Sequence, residues 1–205
     1  MSTHPKTRIT PKEYLELERK AEIKSEYLDG EMFAMSGVTL EHSSIVVNLI
    51  TELNNQFIDR PCQVHGPDLR VKVSPTGLYT YPDLVAFCEK PLFEDEHFDT
   101  LLNPQVIIEV LSNSTEAYDR GKKFAHYRTV RSLQEYVLVS QTECRIERFA
   151  RRDDGVWDYT ECTDPNGSVE LTSVACRLFL QRVYRNVDFE RAVAQQADNS
   201  RPTAS

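Results

Sequence analysis

The sequence predicts an α/β fold: a mixed β-sheet flanked by helices, with an N-terminal helix and a β-hairpin ahead of it. Three observations carry this. Val106 to Leu111 is the most apolar run in the chain, of buried-strand length, and it leads through the polar turn Ser112-Asn113-Ser114-Thr115 into a helix expected over 118–130. Ile45, Leu49, Leu53 and Phe57 recur every four residues between Leu40 and Ile58, the mark of an amphipathic helix. Asp29-Gly30 sits inside the alternating stretch 26–35, a hairpin signal. At 205 residues the chain suits one full domain, placed over 10–190. Residues 1–9 read as a loose arm, and 191–205, rich in Gln, Asn, Ser, Pro and Ala, as a disordered tail.

The remaining elements follow in order. Thr10-Pro11-Lys12-Glu13 is a capping box with Pro at the first helical position, so a helix is expected from about 11 to 21. Strands are expected near 62–66, 69–73 and 80–87, with turns at Gly66-Pro67 and around Gly77. Pro82 inside the third of these implies an edge, a bulge or a strand start. Residues 88–104 read as a loop with an acidic run, Glu94-Asp95-Glu96. Strands at 135–139, 144–151 and 156–162 follow, the last two joined through Asp153-Asp154-Gly155. The apolar segment 178–184 is expected to close the sheet as a helix or to serve as an oligomer contact.

Two strands carry a misfit. Asp83 follows Pro82 in one apolar run and Glu109 interrupts another, and a charged group is almost never buried without a partner. Mg²⁺ would be such a partner, since it takes oxygen ligands and usually keeps only one or two protein carboxylates beside waters and phosphate oxygens. Lys122 and Lys123, one loop later, add cations able to offset charge on a phosphoryl group. Carboxylate, carboxylate and lysine make up the inventory of metal-assisted phosphodiester hydrolysis.

The same blocks resemble a known family. Pro82-Asp83 followed by Glu109 is similar to the PD-(D/E)XK nuclease superfamily, with its restriction-endonuclease-like fold. Glu26 to Glu31, Glu41-His42, Asp68 to Val71, Tyr81-Pro82-Asp83, Asn103-Pro104, Glu109 to Thr115, Tyr118 to Gly121, Lys123-Phe124 and Tyr127 resemble, in order, the bacterial Uma-two family of restriction-endonuclease-like proteins over roughly residues 10–187. The resemblance implies a Mg²⁺-dependent endonuclease, Mn²⁺ also serving, that hydrolyses DNA by a metal-activated water. Asp83, Glu109 and the Val110 carbonyl would hold the metal. The superfamily lysine belongs two residues after Glu109, where this chain has Leu111; the resemblance moves the role to Lys123, with Lys122 as second candidate. Glu41, His42 and Asp68 are further candidates for the site. For each a bland reading stays open: a helix-dipole acid, a hydrogen-bonded histidine, a turn-capping aspartate. A homodimer or larger assembly is also implied.

Composition bounds the rest. The net charge of −8 opposes strong nonspecific nucleic-acid binding, yet residues 119–152 hold nine Lys or Arg against four acids, +5, leaving −13 elsewhere. Arg120, Arg128, Arg145 and Arg148 are the candidates for a phosphate track, weighed against a solvated hairpin face. The five cysteines (62, 88, 144, 162, 176) form no C-x-x-C pair and read as reduced thiols; Cys62 and His65 lack the second pair that zinc needs. No apolar run approaches the roughly 20 residues of a membrane span and the first residues lack a signal-peptide core, so the chain is expected in the cytoplasm. P-loop, G-x-G-x-x-G, G-x-S-x-G and H-E-x-x-H motifs are absent. Two rival readings remain: a catalytically weak or inactive binding or assembly module of the same fold, and a metal-free glycosidase using the same carboxylates.

Overall fold

The computed structural model describes residues 8–199. Helix α1 (Pro11–Glu18) begins at the Thr10 capping box, with both reciprocal bonds formed. Strands β1 (Ser25–Leu28) and β2 (Glu31–Ala34) form the expected hairpin. Asp29 and Gly30 both have positive φ, as a two-residue type I′ turn requires. Helix α2 spans Leu40–Phe57 and turns Ile45, Leu49, Leu53 and Phe57 inward, as their spacing implies.

Thirteen strands among the described residues make three sheets. The central one has six, in the order β11-β10-β9-β8-β6-β3: Trp157–Cys162, Ile146–Arg151, Glu135–Ser140, Val106–Leu111, Leu84–Phe87 and Gln63–His65. It is mixed, because β8 and β9 run parallel while β6 and β8 run antiparallel. The second sheet has the order β2-β1-β5-β4-β7, with β5 at Leu78–Thr80, β4 at Arg70–Val73 and β7 at Thr100–Leu101. A small third sheet pairs β12 (Ser168–Leu171) with β13 (Cys176–Phe179).

Alternation along β8 decides how these layers pack. Ile108 and Val110 point into the core shared with α2 and the third sheet. Ile107 and Leu111 point the other way, into a core shared with Val71, Val73, Leu78 and Leu101 of the second sheet. Glu109 has the parity of the second face. It is therefore delivered between the two sheets, beneath helix α3 (residues 116–127).

Three expectations are corrected. The strand expected over 80–87 is two strands in different sheets, β5 and β6, because Pro82 offers no N–H to a ladder and the chain changes sheets through Tyr81-Pro82-Asp83. The tail expected to be disordered forms a helix, Phe189–Asn199, in which Ala192 is buried and Arg191 pairs with Glu41; residues 200–205, like 1–7 of the expected arm, lie outside the described residues. Cys62 and Cys88 are not free thiols but a disulfide. The β3–β6 register, Gln63 opposite Phe87, brings them face to face one step further out, which a separation of 26 residues cannot reveal.

Closing a loop of that length is worth about 3.5 kcal/mol in a chain-entropy model. Full reduction, or the Cys62→Ala/Cys88→Ala double variant, is expected to lower the melting temperature by roughly 10 °C in calorimetry. Identical melting with and without reductant would contradict a disulfide in the folded protein.

Candidate active site

The two misfit carboxylates meet because of where the β6–β8 ladder stops. Leu84 pairs with Ile108, so one step further along the register Asp83 faces Glu109 and Val110 would face Pro82. The ladder ends before Pro82, and the Asp83 side chain takes over: the Val110 N–H donates to Asp83 Oδ2 at 2.7 Å, while the Asp83 N–H donates to Glu109 Oε2 at 3.3 Å. His42, from the first turn of α2, places Nε2 3.2 Å from Asp83 Oδ2.

Helix α3 supplies the cation. It opens with one α turn (Glu116–Tyr118), widens to a π turn (Asp119–Lys123) and returns to α (Phe124–Tyr127). A π turn bonds i to i+5, and such turns are common at functional sites. Here it accompanies a set of buried residues spaced by four, Asp119, Lys123 and Tyr127, all facing the sheets. The Tyr136 hydroxyl from β9 donates to the Asp119 carbonyl at 3.1 Å and so supports the widened turn from below. Phe124, stacked on Tyr136 and packed against Phe149 and Trp157, fixes the helix on its other side.

Lys123 is only 6 % exposed. Its Nζ lies 3.0 Å from Glu109 Oε1, 3.3 Å from Glu26 Oε1 and 3.5 Å from Asp119 Oδ1. The Tyr127 hydroxyl donates to Glu109 Oε1 at 2.8 Å, and the Thr80 hydroxyl donates to Glu26. Desolvation dominates this enclosed cluster. Burial pushes the Glu109 carboxyl up to about 8, with the charges of Asp119 and Asp83 adding to the rise and Lys123 opposing it. Asp119 is raised for the same reason, burial first. Burial by itself would lower Lys123, but the carboxylates of Glu109, Glu26 and Asp119 outweigh it and hold the ammonium well above its ordinary value.

The structure thus brings Asp83, Glu109, Lys123 and His42 together, with Val110 bound through its N–H. Glu41 shares the first turn of α2 but turns to Arg191 of the C-terminal helix, and its Oε2 has no hydrogen-bond partner. Asp68 is not in the cleft: it is exposed and pairs with Lys24 at 2.8 Å. Lys122 is exposed, one position off the inward face. Three of the four candidate arginines serve internal carboxylates. Arg120 binds Glu116 and Glu147, Arg145 binds Glu143, and Arg148 is held by buried Glu135. Arg128 is exposed, its guanidinium over the Phe124 ring. Glu26, Asp119, Tyr127 and Thr80 belong to the site although sequence reasoning gave them no role. The spacing of four linking Asp119, Lys123 and Tyr127 was the available signal. A cavity of about 990 Å³ lies elsewhere, between α1 and the acidic loop, where Arg19 pairs with Asp95 and Asp99.

Between pH 4.5, the ordinary glutamate value, and about 8, native Glu109 keeps a proton that the unfolded chain gives up. Its contribution to stability is therefore full below the lower value and is lost as pH rises through the higher one. Metal-free protein is expected to melt at falling temperature across this window, and Glu109→Gln, which cannot ionise, to flatten the slope. Parallel slopes for the two proteins in thermal melts would refute this assignment.

Known proteins place the chain in a family. The Uma2 family model, described as "Putative restriction endonuclease", matches residues 11–180. Two uncharacterized proteins of Synechocystis sp. (strain ATCC 27184 / PCC 6803 / Kazusa) are close in sequence. Protein slr1290 is 36 % identical over 185 residues, 90 % of this chain and 96 % of its own; sll1609 is 34 % identical over 164 residues, 80 % of this chain and 93 % of its own. In fold, the chain matches a crystal structure from Anabaena variabilis ATCC 29413, described as "a putative nuclease belonging to DUF820", with a TM-score of 0.70 at 21 % identity, covering 86 % of this chain and 97 % of that one. With the family model spanning most of the chain and both relatives aligned over nearly their whole length, this protein belongs to the Uma2 family of restriction-endonuclease-like proteins.

Proposed function

We propose that the chain is a divalent-metal-dependent endonuclease that hydrolyses phosphodiester bonds of DNA in the cleft between its two larger sheets. The observation that carries the reading is the contact between Lys123 Nζ and Glu109 Oε1 at 3.0 Å: a lysine from the next helix stands beside the carboxylate where the superfamily pattern wants one. Among the described residues no group of three or more His, Cys, Asp or Glu could hold a metal ion. A cation here would take Asp83 and Glu109 and draw its other ligands from water and phosphate, which suits Mg²⁺ or Mn²⁺ and not zinc. Bound there, it would supply Lewis-acid polarisation of the phosphate and an activated water.

The chain's own residues do the rest. The Val110 N–H fixes Asp83, Tyr127 fixes Glu109, and Lys123 presents a positive charge to the phosphoryl oxygens as charge builds on them. Arg120, Arg145 and Arg148 already pair with carboxylates of the chain itself, which favours a second reading, a nuclease fold that binds or assembles without turnover.

Plasmid DNA with Mg²⁺ or Mn²⁺ separates the two. Wild type is expected to nick it, Lys123→Ala to lose about 10²- to 10³-fold in rate, and Lys122→Ala to keep most activity, with circular dichroism confirming that each variant folds. In titration calorimetry, Asp83→Asn and Glu109→Gln should each weaken divalent binding severely, because a neutral amide is a poor match for a hard cation. Clean wild-type protein that cuts neither DNA nor RNA would favour the module.

A further inference from the structure

The ammonium of Lys123 has three N–H donors, and the cleft offers it three carboxylates from three different elements: Glu109 on β8, Glu26 on β1 and Asp119 on α3. One contact cannot aim a four-carbon stem that carries about 2 kcal/mol of rotamer entropy; three can. The two outer acids are themselves fixed. Glu26 accepts from the Thr80 hydroxyl, and Asp119 sits at the start of the π turn whose carbonyl takes the Tyr136 hydroxyl. Asp119 is 2 % exposed, and its Oδ1 has no hydrogen-bond partner although Lys123 Nζ is 3.5 Å away. A buried oxygen left so costs free energy unless a donor can move onto it. It is an acceptor in reserve for the lysine ammonium.

We propose that Glu26 and Asp119 are positioning residues for Lys123. They hold its ammonium toward the cleft by ion pairs that do not depend on Glu109, so the lysine stays aimed when Glu109 is engaged elsewhere. The kinetic consequence rests on the nuclease reading of this cleft; the positioning itself does not.

The test therefore has two arms. In metal-free protein labelled with ¹⁵N-lysine, an ion-paired, buried ammonium exchanges its protons slowly and gives a resolved Nζ signal at low temperature, assigned by its loss in Lys123→Met. That signal is expected in wild type, to weaken or vanish in Glu26→Gln and in Asp119→Asn, and to return in Asp119→Glu. In the cleavage arm kcat is expected to fall about 10- to 100-fold in the two amide variants, the size of a small misplacement of a reacting group, with KM little changed. If Asp119→Asn does not fold, Glu26→Gln, on the hairpin, decides the matter. An unchanged Lys123 signal in both amide variants overturns the proposal. If wild type cuts no nucleic acid, the NMR arm still decides positioning, and the nuclease reading fails separately.

Discussion

A carboxylate on the innermost strand is the constraint around which this molecule is arranged. Glu109 sits between Ile108 and Val110 in a strand whose every residue is buried. Leaving a buried polar group without its partner typically costs about 1–3 kcal/mol, a large share of the margin by which a domain stays folded. The neighbours of Glu109 are therefore not free to drift. Lys123 and Tyr127 must reach it together, and they can do so only if α3 lies over the sheet with the face spaced by four turned inward. The π turn, the Tyr136 bond to its carbonyl and the Phe124 ring stack all serve that placement.

The second carboxylate depends on a defect. The β6–β8 ladder stops at Leu84 opposite Ile108, so Val110 lies beyond its end. At Tyr81-Pro82-Asp83 the chain leaves one sheet and enters the other, and the Asp83 carboxylate accepts from the Val110 N–H where the ladder has ended. Glu26 comes to Lys123 from the second sheet. The change of sheet thus sets both the end of the ladder and the place of Asp83 at it.

These relations set what could be read in the chain. Asp83 and Glu109 were legible because a charge inside an apolar strand needs a reason, and the belt of helices and hairpins was legible from capping, spacing and Asp-Gly. Lys123 was reached by resemblance. Glu26 and Asp119 were not, because an acid in an alternating hairpin or at a helix start looks solvated, and its contact with Lys123 exists only once the two sheets are assembled. The Cys62–Cys88 disulfide was hidden for the same reason, since only the β3–β6 register brings the two together. The C-terminal helix was missed on composition. Ala and Gln suggest a tail when they stand among Asn and Ser, yet both are good helix formers, and Arg191 gains buried Glu41 as a partner. The arginine track failed differently: alternation along a hairpin cannot say whether a guanidinium faces water or, like that of Arg148, reaches a buried glutamate.

Charge balance bears on why the proposed chemistry would need a cation. Four carboxylates, Glu26, Asp83, Glu109 and Asp119, face one ammonium, Lys123, which gives −3 when all are ionised. With −8 over the whole chain and most of the nearby arginines already paired, nothing in this cleft would draw a phosphodiester toward it. The protonation favoured at Glu109 relieves only part of the excess, and it does so by removing the charge that a ligand would use. A divalent ion would relieve it without that loss: it would favour the ionised form of Glu109, offset Asp83 and turn the local field toward phosphate. On this argument the excess of acid is not an obstacle to nucleic-acid chemistry here but the reason such chemistry would be conditional on metal.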